Sequence, residues 1–315
     1  MYIRMVVNME DDEIPYNQII HGDCIECMDK LPTNIANLVI TDPPFGVEYE
    51  SRLRAESFGK IEGDGQNDPV VSWAFARCYF LLKDNSHFYT FTRWDVLPRF
   101  QHLLKHWGFN VKSCIVGKRA AHSCGDLDYS FSPSHEMILF AQKGQRKFSE
   151  TTIRRLGDGK GFVRRFDDMV DWLPVNEPSK NFMFHPTQKS LELIEFFMLV
   201  SSNEGDLVID PFSGSGITAI AAWDLNRKFI CYEKDEKYYT GSVKYLDEFK
   251  KGLHNDILDR VHKKLGYGVG KIKQETFGNV ANKELSKPEK IVKKTKVVPS
   301  PQGQLPDLKE YDKND

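Results

Sequence analysis

The sequence predicts an α/β fold: a doubly wound, mainly parallel sheet of seven strands with a small insertion. Three observations carry this. From Tyr16 to about Tyr245, short β-rich apolar runs alternate with helical stretches, the order that winds helices over a parallel sheet. A glycine-rich turn, Ser213-Gly214-Ser215-Gly216, joins one such run directly to a helix. The 315 residues, 40% hydrophobic and 28% charged, can bury one large core. Those values exclude wholesale disorder and a collagen-like repeat.

The elements follow in order. Residues 1–15 are acidic, proline-terminated and read as a lead-in. The first strand, 17–21 (NQIIH), runs to Asp23, a cap for helix 24–31. Strand 37–41 (NLVIT) is a continuous apolar run, and helix 68–83 leads to strand 86–92 (SHFYTFT). Helix 95–107 carries Val96, Leu97, Phe100, Leu103, Leu104 and Trp107, the spacing of a one-sided helix. Strands 112–117 and 135–141 follow, then helix 188–203, strand 206–210, helix 216–226, strand 228–233 and helix 235–251. In domain terms, 16–141 and 185–251 are two halves of one α/β unit. Residues 142–184 are an insertion between them, 252–276 a helical extension, and 277–315 a Lys/Pro-rich tail whose composition predicts disorder.

The net charge of −2 excludes a polycation, so any nucleic-acid contact must come from a local patch. No apolar run approaches the ~20 residues of a membrane span, and the acidic N-terminus is no secretory signal. The expectation is a cytoplasmic protein without membrane contact. Six cysteines are too few for a disulfide scaffold. Cys24-x-x-Cys27 has no second pair at finger spacing, and no H-x-x-x-H pair occurs, so no metal site is expected. His135 and His185 read as structural.

Four segments carry chemistry. Asp42-Pro43-Pro44-Phe45 follows a strand, where open α/β sheets bind ligands. The prolines hold the loop extended. The Asp42 carboxylate, a proline carbonyl and the Phe45 ring together suit a planar group bearing an NH2. An Asp-Pro turn ending a strand explains the same residues equally well. The second segment, Asp210 to Ala219, fits G-x-G-x-x-A through Gly214, Gly216 and Ala219, with Phe212 and Ser213 in the turn and Glu233 at the next strand end. Glycines admit close backbone approach, and an acid there accepts from ribose hydroxyls. Asp210 beside a pyrophosphate would be unfavourable, and the turn lies late in the chain. Both features argue against a nicotinamide cofactor and for a cationic one. The third, Thr187-Gln188-Lys189, opens a helix, where a carboxylate can bind. Simple capping is the plainer account of that segment alone. The fourth, Asp23, can cap its helix or accept from an exocyclic amine.

In this order, GDC, DPPF, HPTQK, DPFSGSG and the Glu233-x-Asp235 pair resemble the S-adenosylmethionine-dependent amino-group DNA methyltransferases. The group methylates adenine N6 or cytosine N4, and this is its permuted, beta-type order. The resemblance covers about 20–245. It implies a Rossmann-like methyltransferase sheet. It also implies that Asp42 and Pro43 hold the target amino group beside Pro44, and that Phe45 stacks on a flipped base. It puts Phe212, Ser213, Gly214 and Gly216 at the cofactor, Glu233 at the ribose, Asp23 at the adenine and Asp210 at the ammonium end. Thr187, Gln188 and Lys189 fall near the methionine moiety. Phe45 stands where the family more often has Tyr, and Ser190 where Pro is usual.

The implied substrate is double-stranded DNA, with adenine N6 favoured by the Asp that opens the motif and cytosine N4 the alternative. A non-catalytic nucleic-acid-binding protein on the same fold is the other reading. A homodimer and a cognate restriction endonuclease are the partners the family brings with it. The insertion lies where the family places target recognition. Its residues 145–165 hold seven basic side chains (Arg146, Lys147, Arg154, Arg155, Lys160, Arg164, Arg165) against two acidic ones, which suits phosphate contacts. The recognition sequence is not legible.

Overall fold

The computed structural model describes residues 9–45, 69–119, 134–149, 169–175 and 188–265. In chain order they form β1 (Gln18–His21), α1 (Cys24–Met28), β2 (Ala36–Thr41), α2 (Val70–Leu81), β3 (Leu82–Thr92), α3 (Leu97–His106), β4 (Asn110–Arg119), β5 (His135–Lys143), β6 (Met169–Val175), α4 (Leu191–Ser201), β7 (Leu207–Asp210), α5 (Ile217–Asp224), β8 (Lys228–Glu233), α6 (Glu236–Lys250) and α7 (Asn255–Lys264). No helix among these residues is long and apolar enough to cross a membrane.

The strands form one sheet in the order β1-β8-β7-β2-β3-β5-β4-β6. Only β5 runs against its neighbours, antiparallel to both β3 and β4. The seven expected strands are all present. The eighth, β6, arises in the insertion, where the sequence shows no strand period. Its Pro174 is tolerated because β6 is an edge strand, paired only with β4. β3 also starts earlier than expected, taking in the polar residues 83–85.

Alternation along the strands builds two cores. Leu38, Ile40, Tyr89, Phe91 and Val208 point into one, beneath α4 to α7. Val39, Phe88, Ile209 and Ile230 point into the other, beneath α1 to α3. This two-sided burial is why the strands read as continuous apolar runs. Each fully buried large side chain contributes roughly 1.5–3 kcal/mol.

Helix α4 is buried along its whole length, and its two acids with it. Glu192 pairs with Lys264 of α7 at 2.8 Å. Burial holds the Glu195 carboxyl well above the usual range. His262 of α7 meets Asp224 of α5 at 2.5 Å. These contacts fasten α7 over the first core.

The topology also locates a crevice. From β2 the chain moves outward to β3; from β7 it moves outward the other way, to β8. β2 and β7 are adjacent, with Leu38 opposite Val208. The carboxyl ends of these two strands flank the point where winding reverses, which is where open α/β sheets bind ligands.

Candidate active site

Four carboxylates meet at that edge. Asp42 follows β2, Asp210 closes β7, Glu233 closes β8, and Asp23 lies two residues beyond β1. The strand order places them side by side, although 210 residues separate Asp23 from Glu233 in the chain.

Asp42 is held from three directions. Thr41 is in register with Thr90 of β3, and Thr90 with Leu139 of β5. The antiparallel β5 therefore brings its first residues, including Glu136, to the catalytic end. Lys189, just before α4, sets its ammonium 2.9 Å from Asp42 Oδ2 and 3.8 Å from Glu136 Oε1. The same ammonium lies 4.7 Å from the centroid of the Phe91 ring. Asp42 Oδ1 and Glu136 Oε2 are buried without a hydrogen-bond partner among the described residues. Burial pushes the Asp42 carboxyl up, Lys189 draws it down, and the Glu136 charge adds to the rise. Pro43 is buried, and half-buried Phe45 tilts against Phe100 of α3 at 6.2 Å between ring centroids.

Asp210 is buried and accepts from the Phe212 amide at 3.1 Å and the Thr218 hydroxyl at 2.7 Å. Burial pushes its carboxyl up to about 7, against those two donors and with the nearby Asp42 charge adding to the rise. A buried acid poised near neutrality is suited to an incoming cation.

The glycine turn is braced from β8. The Ser213 amide donates to the Tyr232 carbonyl at 2.8 Å, and the Gly214 amide to Glu233 Oε2 at 2.7 Å. Glu233 Oε1 accepts from the Asp235 amide at 2.9 Å. Burial raises the Glu233 carboxyl, opposed by these amides. Gly216 has φ +77°, and a Cβ there would lie 2.9 Å from Ser242 Cβ of α6. Its absence of a side chain serves helix packing as well as the turn. Ser213 is buried, its hydroxyl against the Cys231 thiol, and Phe212 is half-buried against the second core.

Asp23 caps α1, with Oδ1 accepting from the Ile25 amide at 2.9 Å, while Oδ2 lies 3.6 Å from Lys234. Gln188 hydrogen-bonds the Tyr245 hydroxyl. Thr187 lies outside the described residues, as do Arg154, Arg155, Lys160, Arg164 and Arg165.

The structure places three more of the expected residues. Lys189, assigned from sequence to the methionine moiety, is paired here with Asp42. Arg146 and Lys147, assigned from sequence to DNA contacts, lie away from the carboxyl edge that holds Asp42. They follow β5, whose last residue Lys143 pairs with Ser86 at the start of β3, so they emerge at the opposite edge of the sheet. Arg146 lies 3.6 Å from Asp206, which precedes β7. The reversed direction of β5, unreadable from charge, moves them.

Sequence reasoning also missed Glu136, Phe91 and Thr218. The one available signal was Glu136, an acid inside the apolar run HEMILFA. Thr218 was visible only as a helix residue eight positions after Asp210.

Comparison with known proteins identifies the family and the fold. A family model for N6/N4 methyltransferases, described as DNA methylase, matches residues 36–244. The chain is 26% identical over 276 residues to the type II methyltransferase M2.MboI of Moraxella bovis, spanning 84% of this chain and 99% of that one. It is 27% identical over 256 residues to the DNA adenine methyltransferase YhdJ of Escherichia coli K12, spanning 73% and 82%. Among solved structures, the M1.HpyAVI–SAM complex superposes with a TM-score of 0.54 at 25% identity, covering 73% of this chain and 98% of that one. The cytosine-N4-specific PvuII DNA methyltransferase shares the fold, with a TM-score of 0.59 at 18% identity over 80% and 93%.

Proposed function

The chain belongs to the N6/N4 DNA methylase family, and on that premise we propose that it methylates adenine N6 in double-stranded DNA, using S-adenosylmethionine and a base flipped out of the helix. The observation that carries this is Asp42, opening the DPPF loop with Oδ2 paired to Lys189 and Oδ1 buried without a donor among the described residues. A buried acceptor without a donor is costly unless a ligand supplies one. An exocyclic NH2 supplies one.

The residues at the glycine turn fit S-adenosylmethionine. Glu233 accepts from the Gly214 amide through Oε2 and from the Asp235 amide through Oε1, and the lone pairs that remain suit ribose hydroxyls. Asp210 suits the ammonium group. When bound, this cofactor supplies a methyl already activated by its sulfonium.

The chain's own work is positioning and electrostatics. The lone pair of an aromatic amine is delocalised into the ring. Asp42 Oδ1 and the Pro43 carbonyl, accepting from its two hydrogens, favour a tetrahedral nitrogen whose lone pair is free to attack. Glu233 and Asp210, holding the cofactor at the glycine turn, would present its methyl to that nitrogen, with the S–C bonding electrons staying on sulfur. The surplus N–H proton then passes to Asp42, whose raised basicity suits it to take that proton. Phe45 offers a ring face to the extruded base. The insertion residues Arg154, Arg155, Lys160, Arg164 and Arg165 contact phosphates in this reading.

Adenine is favoured by the aspartate that opens the motif and by the adenine relative YhdJ. The test uses purified protein, mixed-sequence unmethylated duplex DNA and methyl-labelled cofactor, with the product digested to nucleosides for mass spectrometry. Label on adenine N6 is the expected result. Label on cytosine N4 would keep the chemistry and replace the base. No label on either, with cofactor bound, would leave a DNA-binding protein on a methyltransferase fold.

A further inference from the structure

We propose that Glu136 is a positioning residue for methyl transfer, acting on Asp42 through the ammonium of Lys189 that the two carboxylates share. The proposal rests on the methyltransferase reading above.

The three side chains come from separate parts of the chain: the end of β2, the start of β5 and the residue before Ser190, the N-cap of α4. Lys189 Nζ stands between Asp42 Oδ2 at 2.9 Å and Glu136 Oε1 at 3.8 Å. Phe91 closes one side, its ring 4.7 Å from the ammonium. Among the described residues, two carboxylates share this one ammonium, an excess of negative charge in a largely buried place.

That excess has a chemical reason. During transfer, positive charge moves from sulfur onto the amino nitrogen. Asp42 paired with Lys189 alone would present a neutral pair, with a cation beside the developing cation. Glu136 offsets Lys189, so that Asp42 keeps its negative field where charge develops. Lys189 also fixes the orientation of the Asp42 carboxylate, so that Oδ1 rather than Oδ2 faces the base. Glu136 in turn holds Lys189 from its far side. Among the described residues, the charged groups that act on Asp42 are Lys189 and Glu136, and Asp42 in turn raises its neighbour along the sheet edge, Asp210.

The sign of the effect is specific. Removing the charge of Glu136 removes a repulsion that raises the Asp42 carboxyl. Asp42 then becomes less basic and loses part of its field at the amino nitrogen. Removing the charge of Lys189 does the opposite to its basicity. A residue that only filled space would do neither.

The experiment pairs Glu136→Gln with Lys189→Met in the full chain, with wild type in the same assay. For Glu136→Gln, kcat falls on the order of 10²-fold, cofactor Kd stays within twofold, and the acidic limb of kcat/KM moves to lower pH. For Lys189→Met the limb moves to higher pH. The Asp42 titration, followed by ¹³C-carboxyl NMR on aspartate-labelled protein without DNA, moves in the same two directions and needs no turnover. An unchanged Asp42 titration in Glu136→Gln would overturn the proposal, as would an unchanged kcat. A wild type that bound cofactor and methylated no DNA would instead sink the methyltransferase reading, and the NMR titration would still decide the coupling.

Discussion

The carboxylate of Glu233 accepts the amide of Gly214 at 2.7 Å, tying the end of β8 to the glycine turn that leads into α5. One side chain thus braces the turn, and in our reading it also holds the ribose. Glu233→Ala is therefore expected to weaken cofactor binding by more than tenfold, because two amides and two hydroxyls lose their acceptor. Glu233→Gln keeps one acceptor oxygen and loses less. Calorimetric titration with S-adenosylmethionine gives both constants. Unaltered affinity in the alanine variant would remove Glu233 from the site.

Asp210 makes stability and binding depend on pH. Its carboxyl is raised from 3.8 to about 7 in the folded chain. The unfolded chain ionises first, so the stability associated with this group is full below about pH 4 and is lost as pH rises through about 7, by an amount on the order of a few kcal/mol. Asp210→Asn should therefore melt above wild type at pH 8, with the gain vanishing at pH 4. A cationic ligand favours the ionised form. Cofactor binding near pH 7 should release a proton, measurable by calorimetry in buffers of different ionisation enthalpy. Proton-neutral binding would contradict an ammonium beside Asp210.

Asp42→Ala removes the acceptor for the target amine. Turnover is expected to drop by on the order of 10²-fold or more, while cofactor affinity changes little. The variant also removes the nearer of the two carboxylates that meet Lys189. Single-turnover assays with prebound cofactor isolate the chemical step. Retention of wild-type rates would refute the acceptor mechanism.

Gly216→Ala tests the tight approach of α5 to α6. The residue sits at φ +77°, and the added Cβ would press on Ser242 Cβ at 2.9 Å. Left-handed backbone strain alone costs roughly 1–3 kcal/mol, so the urea midpoint should fall clearly. An unshifted midpoint would mean that the turn and α6 yield without cost.

The insertion carries the proposed phosphate contacts. Changing Arg154, Arg155, Arg164 and Arg165 together to Ser should weaken DNA binding and flatten its salt dependence, by about 0.9 in the log–log slope for each phosphate no longer neutralised. Arg146→Ser, at the opposite edge beside Asp206, should leave that slope unchanged. An unchanged slope in the fourfold variant would return the insertion to a solvated segment.

Much of this molecule is written locally. The seven strands, the cap at Asp23 and the glycine turn each follow from a few neighbouring residues, because strand burial, N-cap hydrogen bonds and positive φ are local physics. The row of Asp23, Asp42, Asp210 and Glu233 was legible too, since each acid ends a strand and parallel strands share their carboxyl edge. β6 was not legible. Its pairing with β4 is a long-range event, and its proline and irregular pattern conceal it.

The sequence by itself determined the family and singled out the glycine turn and Asp42 as the proposed site, since order and spacing along one chain carry all three. Only the tertiary structure decided what surrounds that aspartate. The antiparallel course of β5 carried Glu136 to the catalytic end and Arg146 to the far one. The start of α4 set Lys189 between the two carboxylates. Which charges meet depends on strand direction and register, and a linear pattern of residue types holds neither.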